Sequence, residues 1–281
     1  MRIAATASDL RREIAGLPRP LVLVPTMGAL HEGHLALVRR ARQAAGPQGS
    51  VAMSIFVNPI QFDRPGDLAA YPQPLEDDLE KCRQTGVDLV FTPETGAMYF
   101  PDRSITVTES LLSTHLCGAT RPGHFDGVCT VVLKLFNLFQ PDSAVFGEKD
   151  VQQLAILRRM VRDLDVPVEI IGHPTVREPD GLAMSSRNVR LSPGHRADAP
   201  RIRRALEGAR SLLQFGERAA APYLAAARKH LEDSPFLRID YLELVDAETL
   251  QPVGHIKKPA VLATAVFYGD VRLIDHVSLL P

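Results

Sequence analysis

The sequence predicts an α/β protein: a doubly wound parallel sheet over residues 1–178, then a smaller α+β domain over residues 179–281. Three observations carry this. The strand candidates in the first two-thirds are continuous apolar runs, as expected when both faces of a parallel sheet are covered. Amphipathic helical stretches separate those runs, giving an alternation of strand and helix. After about residue 180 the order changes to helices followed by alternating strands, the pattern of a separate α+β unit.

The elements follow in chain order. PLVLVPT (20–26) is compact, β-branched and ends at Met27-Gly28. Beyond it Leu35, Val38, Ala41 and Ala45 recur at helical spacing, with Arg39, Arg40 and Arg42 on other faces, until Gly46-Pro47 stops the helix. SVAMSIFV (50–57) is a second buried strand, closed by Asn58-Pro59. PLEDDLEKCRQTG (74–86) is a helix whose early acidic residues suit the positive end of its dipole. VDLVFTP (87–93) is a third strand and ITVTES (105–110) a minor one. GVCTVVLKLFNLFQ (127–140) reads as an apolar helix, SAVFG (143–147) as a strand, DVQQLAILRRMVRDL (150–164) as a helix and VPVEIIGHPTV (166–176) as a strand. In the second domain, residues 192–216 and 218–233 read as helices, and 237–250 and 260–280 as strands with turns.

Composition narrows the function. Lys+Arg total 32 against 33 Asp+Glu, a net charge of -1, and nothing in that balance suggests a nucleic-acid coat or a polybasic membrane anchor. An anion must be met by a local cluster of donors. Cys82, Cys117 and Cys129 are too widely spaced for a zinc ribbon or disulfide framework and read as buried free thiols. No signal-peptide core opens the chain, and no apolar run approaches the ~20 residues that cross a bilayer. A cytoplasmic protein is expected.

Polar clusters follow the strands, where parallel sheets bind ligands. His31-Glu32-Gly33-His34 opens the first long helix. The histidines are spaced i, i+3, not the i, i+4 of a zinc helix, and Gly28 and Gly33 let a ligand approach the backbone. Free N–H groups at the helix start suit a phosphate, and the bland alternative is a plain strand-to-helix turn. In GEKDVQQ (147–153), Lys149 is a cation at a strand end, Asp150 a cap or a ligand residue, and Gln152 and Gln153 cannot both face inward. In NPIQF (58–62), Gln61 places an amide among apolar neighbours. MSSRN (184–188) is an anion clamp through Arg187 or a serine-capped loop. Arg121 and His124 in RPGHFDGV (121–128) face a cleft or belong to a turn, and Asp77 or Asp78 offers a Mg²⁺ carboxylate.

Taken together, PTMGALHEGH (25–34), SIFVNPIQF (54–62), RPGHFDGV (121–128), GEKDVQQL (147–154) and MSSRN (184–188) resemble the pantoate–β-alanine ligase family, in the family's order. The resemblance implies a Rossmann-like nucleotide- and pantoate-binding domain with an α+β lid, and a homodimer. It implies ATP-dependent joining of (R)-pantoate to β-alanine through a pantoyl adenylate, with Mg²⁺, giving pantothenate, AMP and pyrophosphate. Residue by residue, it places Met27, Gly28, Ala29, Leu30, His31, Glu32, Gly33 and His34 at ATP, with His34 as proton donor to the phosphates. Gly147, Glu148, Lys149, Asp150, Val176, Met184, Ser185, Ser186 and Arg187 complete the nucleotide site. His34, His31 and Lys149 are then catalytic, Gln61 and Gln153 bind pantoate, Gln61 also neighbours β-alanine, and Asn58, Arg121 and His124 lie close by. Asp63 stands where the family pattern suggests a small residue. The rivals are another H-x-G-H nucleotidyltransferase, a nucleotide-binding regulatory module without turnover, and a metal-dependent hydrolase.

Overall fold

The computed structural model of the protein describes residues 1–280. The chain forms two compact units. Unit 1 comprises Met1–Glu109, Gly123–Glu148 and Ile156–Pro174; unit 2 comprises Ser110–Pro122, Lys149–Ala155 and Thr175–Pro281. The C-terminal part of the chain is therefore joined in unit 2 by two short segments from earlier in the sequence.

Unit 1 opens with β1 (Arg2–Ala4) and α1 (Ala7–Ile14), which Thr6 caps by accepting the Asp9 N–H at 3.2 Å. Then come β2 (Leu21–Thr26), α2 (Glu32–Ala45), β3 (Ser50–Ile55), α3 (Pro65–Ala69), α4 (Leu75–Gln84), β4 (Leu89–Phe91) and α5 (Thr95–Met98). After α6 (Leu116–Thr120), which belongs to unit 2, the chain gives α7 (His124–Phe139), β5 (Ser143–Gly147), α8 (Val151–Asp163) and β6 (Glu169–His173). The six strands pair in parallel in the order β1-β4-β3-β2-β5-β6. From β2 the chain moves to β3 on one side, and later to β5 on the other. The switch point thus lies at the carboxyl ends of β2 and β5, where such sheets open a ligand crevice.

The apolar runs explain this sheet. Every residue of β3 is buried, and β2 pairs with it from Leu21–Ser50 to Thr26–Ile55. Val22, Val24, Val51 and Met53 meet Leu37, Val38 and Ala41 of α2 in one core. Each such side chain contributes about 1.5–3 kcal/mol on burial, so the rim of β2 and α2 is held firmly. Cys82, Cys117 and Cys129 are buried and unbridged, and burial pushes the Cys82 and Cys129 thiols up to about 12.

Two expected elements differ. ITVTES forms no strand: the Val107 N–H donates to Thr130 Oγ1 at 3.0 Å and the Glu109 N–H to Asp126 Oδ1 at 3.3 Å, so α7 side chains take the donors a ladder would need. The expected helix over 192–216 is divided. It consists of α9 (Pro193–Asp198), α10 (Arg201–Arg210) and a 3₁₀ turn over Ser211–Phe215, with Pro200 between the two helices. Proline removes a helical donor and clashes with the preceding turn.

Unit 2 completes itself with α11 (Ala220–Glu232) and the strands β7 (Leu237–Asp246), β8 (Ala260–Tyr268) and β9 (Val271–Leu279). The strands form one antiparallel sheet in the order β7-β8-β9, with Gly269-Asp270 as the two-residue turn of the second hairpin. Ile202, Leu206, Tyr223 and Leu231 pack with Leu244, Leu262 and Val266 in its core. Asp198 is tied into this core by Ser234 Oγ at 2.6 Å, Tyr268 OH at 2.8 Å and Arg201 Nε at 3.0 Å. Burial pushes its carboxyl up, but those hydrogen bonds outweigh burial and hold it below the ordinary value of 3.8. A depressed native pKa means the stabilisation is present above pH 3.8 and is lost as pH falls through the lower folded value. Asp198→Asn is expected to destabilise unit 2 by about 2–3 kcal/mol at pH 7 and to flatten the acid limb of its unfolding curve. Thermal unfolding against pH reads both effects.

Among the described residues, no helix is long and apolar enough to cross a membrane.

Candidate active site

In unit 1, β2 hands over to α2 through an unusual turn. Gly28 has φ +81° and Ala29 φ +50°. A Cβ on Gly28 would lie 3.0 Å from both Asp78 Oδ2 and Ile55 Cγ2, so glycine is required twice over, by conformation and by space. The N–H groups of Ala29 and Leu30 donate to the two oxygens of Asp78, each at 2.7 Å. Lys81 Nζ donates to the Leu30 carbonyl at 2.8 Å. The turn is thereby fastened to α4.

His31 follows as the N-cap of α2. Its Nδ1 accepts the Gly33 N–H at 3.1 Å, and its own N–H donates to His34 Nδ1 at 3.3 Å. The two rings lie 4.1 Å apart, tilted by 37°. A backbone N–H can only donate, so both Nδ1 atoms act as acceptors and each neutral ring carries its hydrogen on Nε2. The amides of Gly33, His34 and Leu35 are taken by His31 itself, so two imidazole Nε2–H donors accompany the Glu32 N–H and the positive end of the α2 dipole. That set favours an anion. It disfavours a metal, which needs an unprotonated ring nitrogen for each histidine. Among the described residues no group of three or more His, Cys, Asp or Glu could hold a metal ion.

Gln61 is held from every side. Its Oε1 accepts from Asn58 Nδ2 at 2.9 Å, its Nε2 reaches Met27 Sδ at 3.2 Å, and its carbonyl accepts from His124 Nδ1 at 2.7 Å. Asn58 also donates to the Gly127 carbonyl at 3.1 Å and accepts from Tyr99 OH at 2.7 Å. Burial pushes the Tyr99 phenol up to about 12, with Arg103 pulling the other way, so it remains a donor near neutrality. Gly127 makes this packing feasible, because a Cβ there would come within 2.5 Å of the Ile60 carbonyl oxygen. Asn58 and His124, expected near the site, are here the struts of Gln61. A cavity of about 320 Å³ opens at the ends of β2, β3 and β4, between Met27, Gly28, Phe56, Asp78 and Glu94. None of His31, His34 or Gln61 lines it.

Beside β2, β5 ends at Gly147, and a 3₁₀ turn over Glu148–Asp150 follows. Lys149, Asp150 and Gln153 belong to unit 2, as do Arg121, Val176 and Met184–Arg187. Lys149 is half-buried and, among the described residues, makes no hydrogen bond or ion pair. The adjacent glutamines divide as their helical spacing requires. Gln152 is buried and saturated, donating to the carbonyls of Leu112 (2.7 Å) and His115 (2.8 Å) and accepting the Cys117 N–H at 2.9 Å. Gln153 is half-buried, and among the described residues its side chain has no hydrogen-bond partner.

MSSRN lies at the foot of a hairpin. The Met184 N–H donates to the Val176 carbonyl at 3.0 Å, and Gly181, at φ +92°, turns the chain. Ser185 Oγ accepts the Arg187 N–H at 3.3 Å, so one serine caps the loop. Asn188 is buried and donates to the Ala183 carbonyl at 3.2 Å. Arg177, within the hairpin, holds buried Asp275 through two bonds of 2.7 and 2.8 Å, fixing it to β9. Exposed Asp77 stands at the start of α4, whereas Asp78 is engaged by backbone amides. Sequence reasoning missed Lys81, Tyr99 and the anchoring by Asp78. Their partners lie 41 to 51 positions away, and no local pattern reports that.

Comparison with known proteins bears on the family of the whole chain. A family model described as pantoate-beta-alanine ligase matches residues 2–278. The pantothenate synthetase of Akkermansia muciniphila is 58% identical, over 99% of this chain and 100% of that protein. That of Thermotoga petrophila is 48% identical over 99% and 100%. Among solved structures, pantothenate synthetase from Thermus thermophilus superposes with a TM-score of 0.94 at 47% identity, covering 100% of both chains. A pantoate-beta-alanine ligase from Francisella tularensis, complexed with beta-gamma ATP and beta-alanine, gives 0.76 at 30% identity, covering 99% and 97%.

Proposed function

Because the chain belongs to the pantoate–β-alanine ligase family, we propose that it joins (R)-pantoate to β-alanine in two steps at the residues described above. It is an AMP-forming carbon–nitrogen ligase. In the first step a pantoate carboxylate oxygen attacks the α-phosphorus of ATP. The bond from that phosphorus to the bridging oxygen breaks, and pyrophosphate leaves. In the second step the β-alanine nitrogen attacks the acyl carbon of the adenylate, AMP departs with the former carboxylate oxygen, and the nitrogen loses a proton. Adenylation is needed because an oxide is a poor leaving group and AMP a good one.

The observation that carries this reading is the histidine pair clipped across the first turn of α2. Its Nε2–H donors, the Glu32 N–H and the positive end of the α2 dipole oppose negative charge that grows on phosphate oxygens in the first step. Preorganised donors of this kind stabilise a transition state strongly, since they need no reorientation as charge develops. Lys149 and Arg187 serve the phosphates as cations. Met27–His34, Gly147–Asp150, Val176 and Met184–Arg187 bind ATP. Gln61, immobilised by Asn58, Met27 and His124, presents a fixed amide to pantoate, and Gln153 adds a second. Arg121 lies near the reacting groups. No serine or cysteine nucleophile is required, in keeping with thiols that burial keeps protonated.

Mg²⁺ bound with ATP would supply charge neutralisation at the phosphates, with Asp77 the carboxylate that would hold it. The donor set fits that mode, because phosphates supply most ligands to such an ion and one carboxylate suffices; Asp77 is the exposed one at the start of α4. We place the enzyme in the cytoplasm as a homodimer.

Incubation with ATP, Mg²⁺, pantoate and β-alanine tests the reading. Pyrophosphate is expected with pantoate alone, and free AMP and an amide product only after β-alanine is added. Pyrophosphate independent of pantoate, or no amide product, would overturn it. Gln153→Ala is expected to raise the pantoate KM about tenfold, as for one lost hydrogen bond to a charged group, with kcat changed much less. An unchanged pantoate KM removes Gln153 from the substrate site.

A further inference from the structure

We infer that Asp78 is a positioning residue for adenylation: its carboxylate holds the Met27–His31 turn in the shape that sets the two histidines, and it is not a metal ligand. The inference rests on the proposed reaction. Positive φ at Gly28 and Ala29 turns the successive N–H groups of Ala29 and Leu30 toward one point. Such converging amides form a concavity that binds anions. Here the anion is internal. Asp78 is 1% exposed, and each of its oxygens takes one of the two N–H groups at 2.7 Å. The phosphate-binding role is thereby left to the start of α2.

The geometry demands a carboxylate. Asparagine offers one acceptor and would turn its NH₂ toward the second amide, leaving a buried donor facing a donor. Lys81, three residues along α4, takes the carbonyl of Leu30, so both polar groups of that residue are held by α4. Leu30 is itself buried. The next N–H in the chain is that of His31, which donates to His34 Nδ1. A rotation of the Leu30–His31 peptide therefore displaces the histidine cap. Nor does the turn hold itself. A non-glycine residue in the left-handed region costs about 1–2 kcal/mol, and Ala29 is such a residue.

The test compares wild type, Asp78→Asn and Asp78→Asn/Ala29→Gly as full chains with MgATP, pantoate and β-alanine. Asp78→Asn is expected to slow pantoate-dependent pyrophosphate release by about 10–100-fold, the scale of a small misplacement of catalytic groups. The loss falls in kcat, not in the pantoate KM. Amide formation from supplied pantoyl adenylate stays within about twofold, because that step makes no new charge on the β- and γ-phosphates. Ala29→Gly restores part of the loss, since glycine keeps the turn without strain. The Mg²⁺ concentration for half-maximal rate stays unchanged. Equal losses in both half-reactions would reduce Asp78 to a general stability role, and a shifted Mg²⁺ requirement would make it a metal ligand; either result overturns the inference. The imidazole ¹⁵N spectrum reads it without turnover. Asp78→Asn should move the His31 and His34 Nδ1 resonances, and unchanged resonances refute the inference whatever the wild-type chain catalyses. A resonance shift in Asp78→Asn together with a wild-type chain that releases no pyrophosphate refutes the proposed reaction instead.

Discussion

Replacing His34 with alanine is expected to slow pantoate-dependent pyrophosphate release by about 10²–10³-fold, the equivalent of losing one preorganised donor at a transition state, about 2.7–4 kcal/mol. The fold should survive. His34 is the third residue of a helix whose Val38, Ala41 and Ala45 are buried in the core of unit 1, and that packing is untouched. What is lost locally is an acceptor for the His31 N–H, a capping contribution of about 0.5–2 kcal/mol. The rate effect thus exceeds the stability effect, and circular dichroism alongside the pyrophosphate assay separates the two. His34→Gln sharpens the test. The glutamine Nε2 lies at about the reach of the imidazole Nε2 and donates a hydrogen bond, but it transfers no proton at neutral pH. With Nδ1 engaged as an acceptor, hydrogen-bond donation from Nε2 is the property the geometry preserves, so His34→Gln should exceed His34→Ala by about tenfold. His34→Ala working at the unmutated rate would falsify the assignment of the histidine pair.

The sheet was legible in the sequence because its strands are continuous apolar runs. LVLVPT and SAVFG leave little choice other than burial on both faces, and they stand within a residue of the observed β2 and β5. The handover from β2 to α2 was legible for the same reason, with two glycines and two histidines interrupting an apolar pattern. ITVTES was misread because period-two alternation reports only that one face is half-buried. It cannot report that Thr130 and Asp126 on α7 accept the amides that a neighbouring strand would have paired. In 192–216 the helical period continues across Pro200 and hides the break until proline's missing donor is considered.

At the candidate site the limit lay in distance along the chain. The acidic run at 76–78 looks like ordinary compensation of a helix dipole, and Asp77 and Asp78 cannot be told apart by composition. Only the fold shows that Asp78 turns inward to amides 48 and 49 positions away while Asp77 remains exposed. Similarly, NPIQF shows a polar group among apolar neighbours, but not that Tyr99, Asn58 and His124 fix it. The glutamine pair was half legible. Helical geometry required one to turn in, and the acceptors around Leu112 and His115 decided that it is Gln152.

Lys149→Ala is the second large expected effect, and it differs from His34→Ala in its expected effect on stability. Lys149 follows the end of β5 in a short 3₁₀ turn, half-buried and, among the described residues, without an ion-pair or hydrogen-bond partner. A cation in that state has lost part of its hydration without gaining a counter-charge, so the fold gains nothing from it. Removing it should leave the thermal midpoint unchanged or slightly raised, within about 0.5 kcal/mol. Pyrophosphate release should fall by about 10²–10³-fold, because a phosphate oxygen that gains charge then lacks its partner. Lys149→Met separates charge from packing, since it keeps the apolar stem and drops only the ammonium; it should be as inactive as alanine. Lys149→Arg keeps the charge but replaces a compact ammonium with a planar fork, and should stay at least about tenfold below wild type. Conservation of activity in Lys149→Met, with pyrophosphate released at the wild-type rate, would show that the ammonium group is not used. A large drop in thermal stability in the same variant would show instead that it holds the turn.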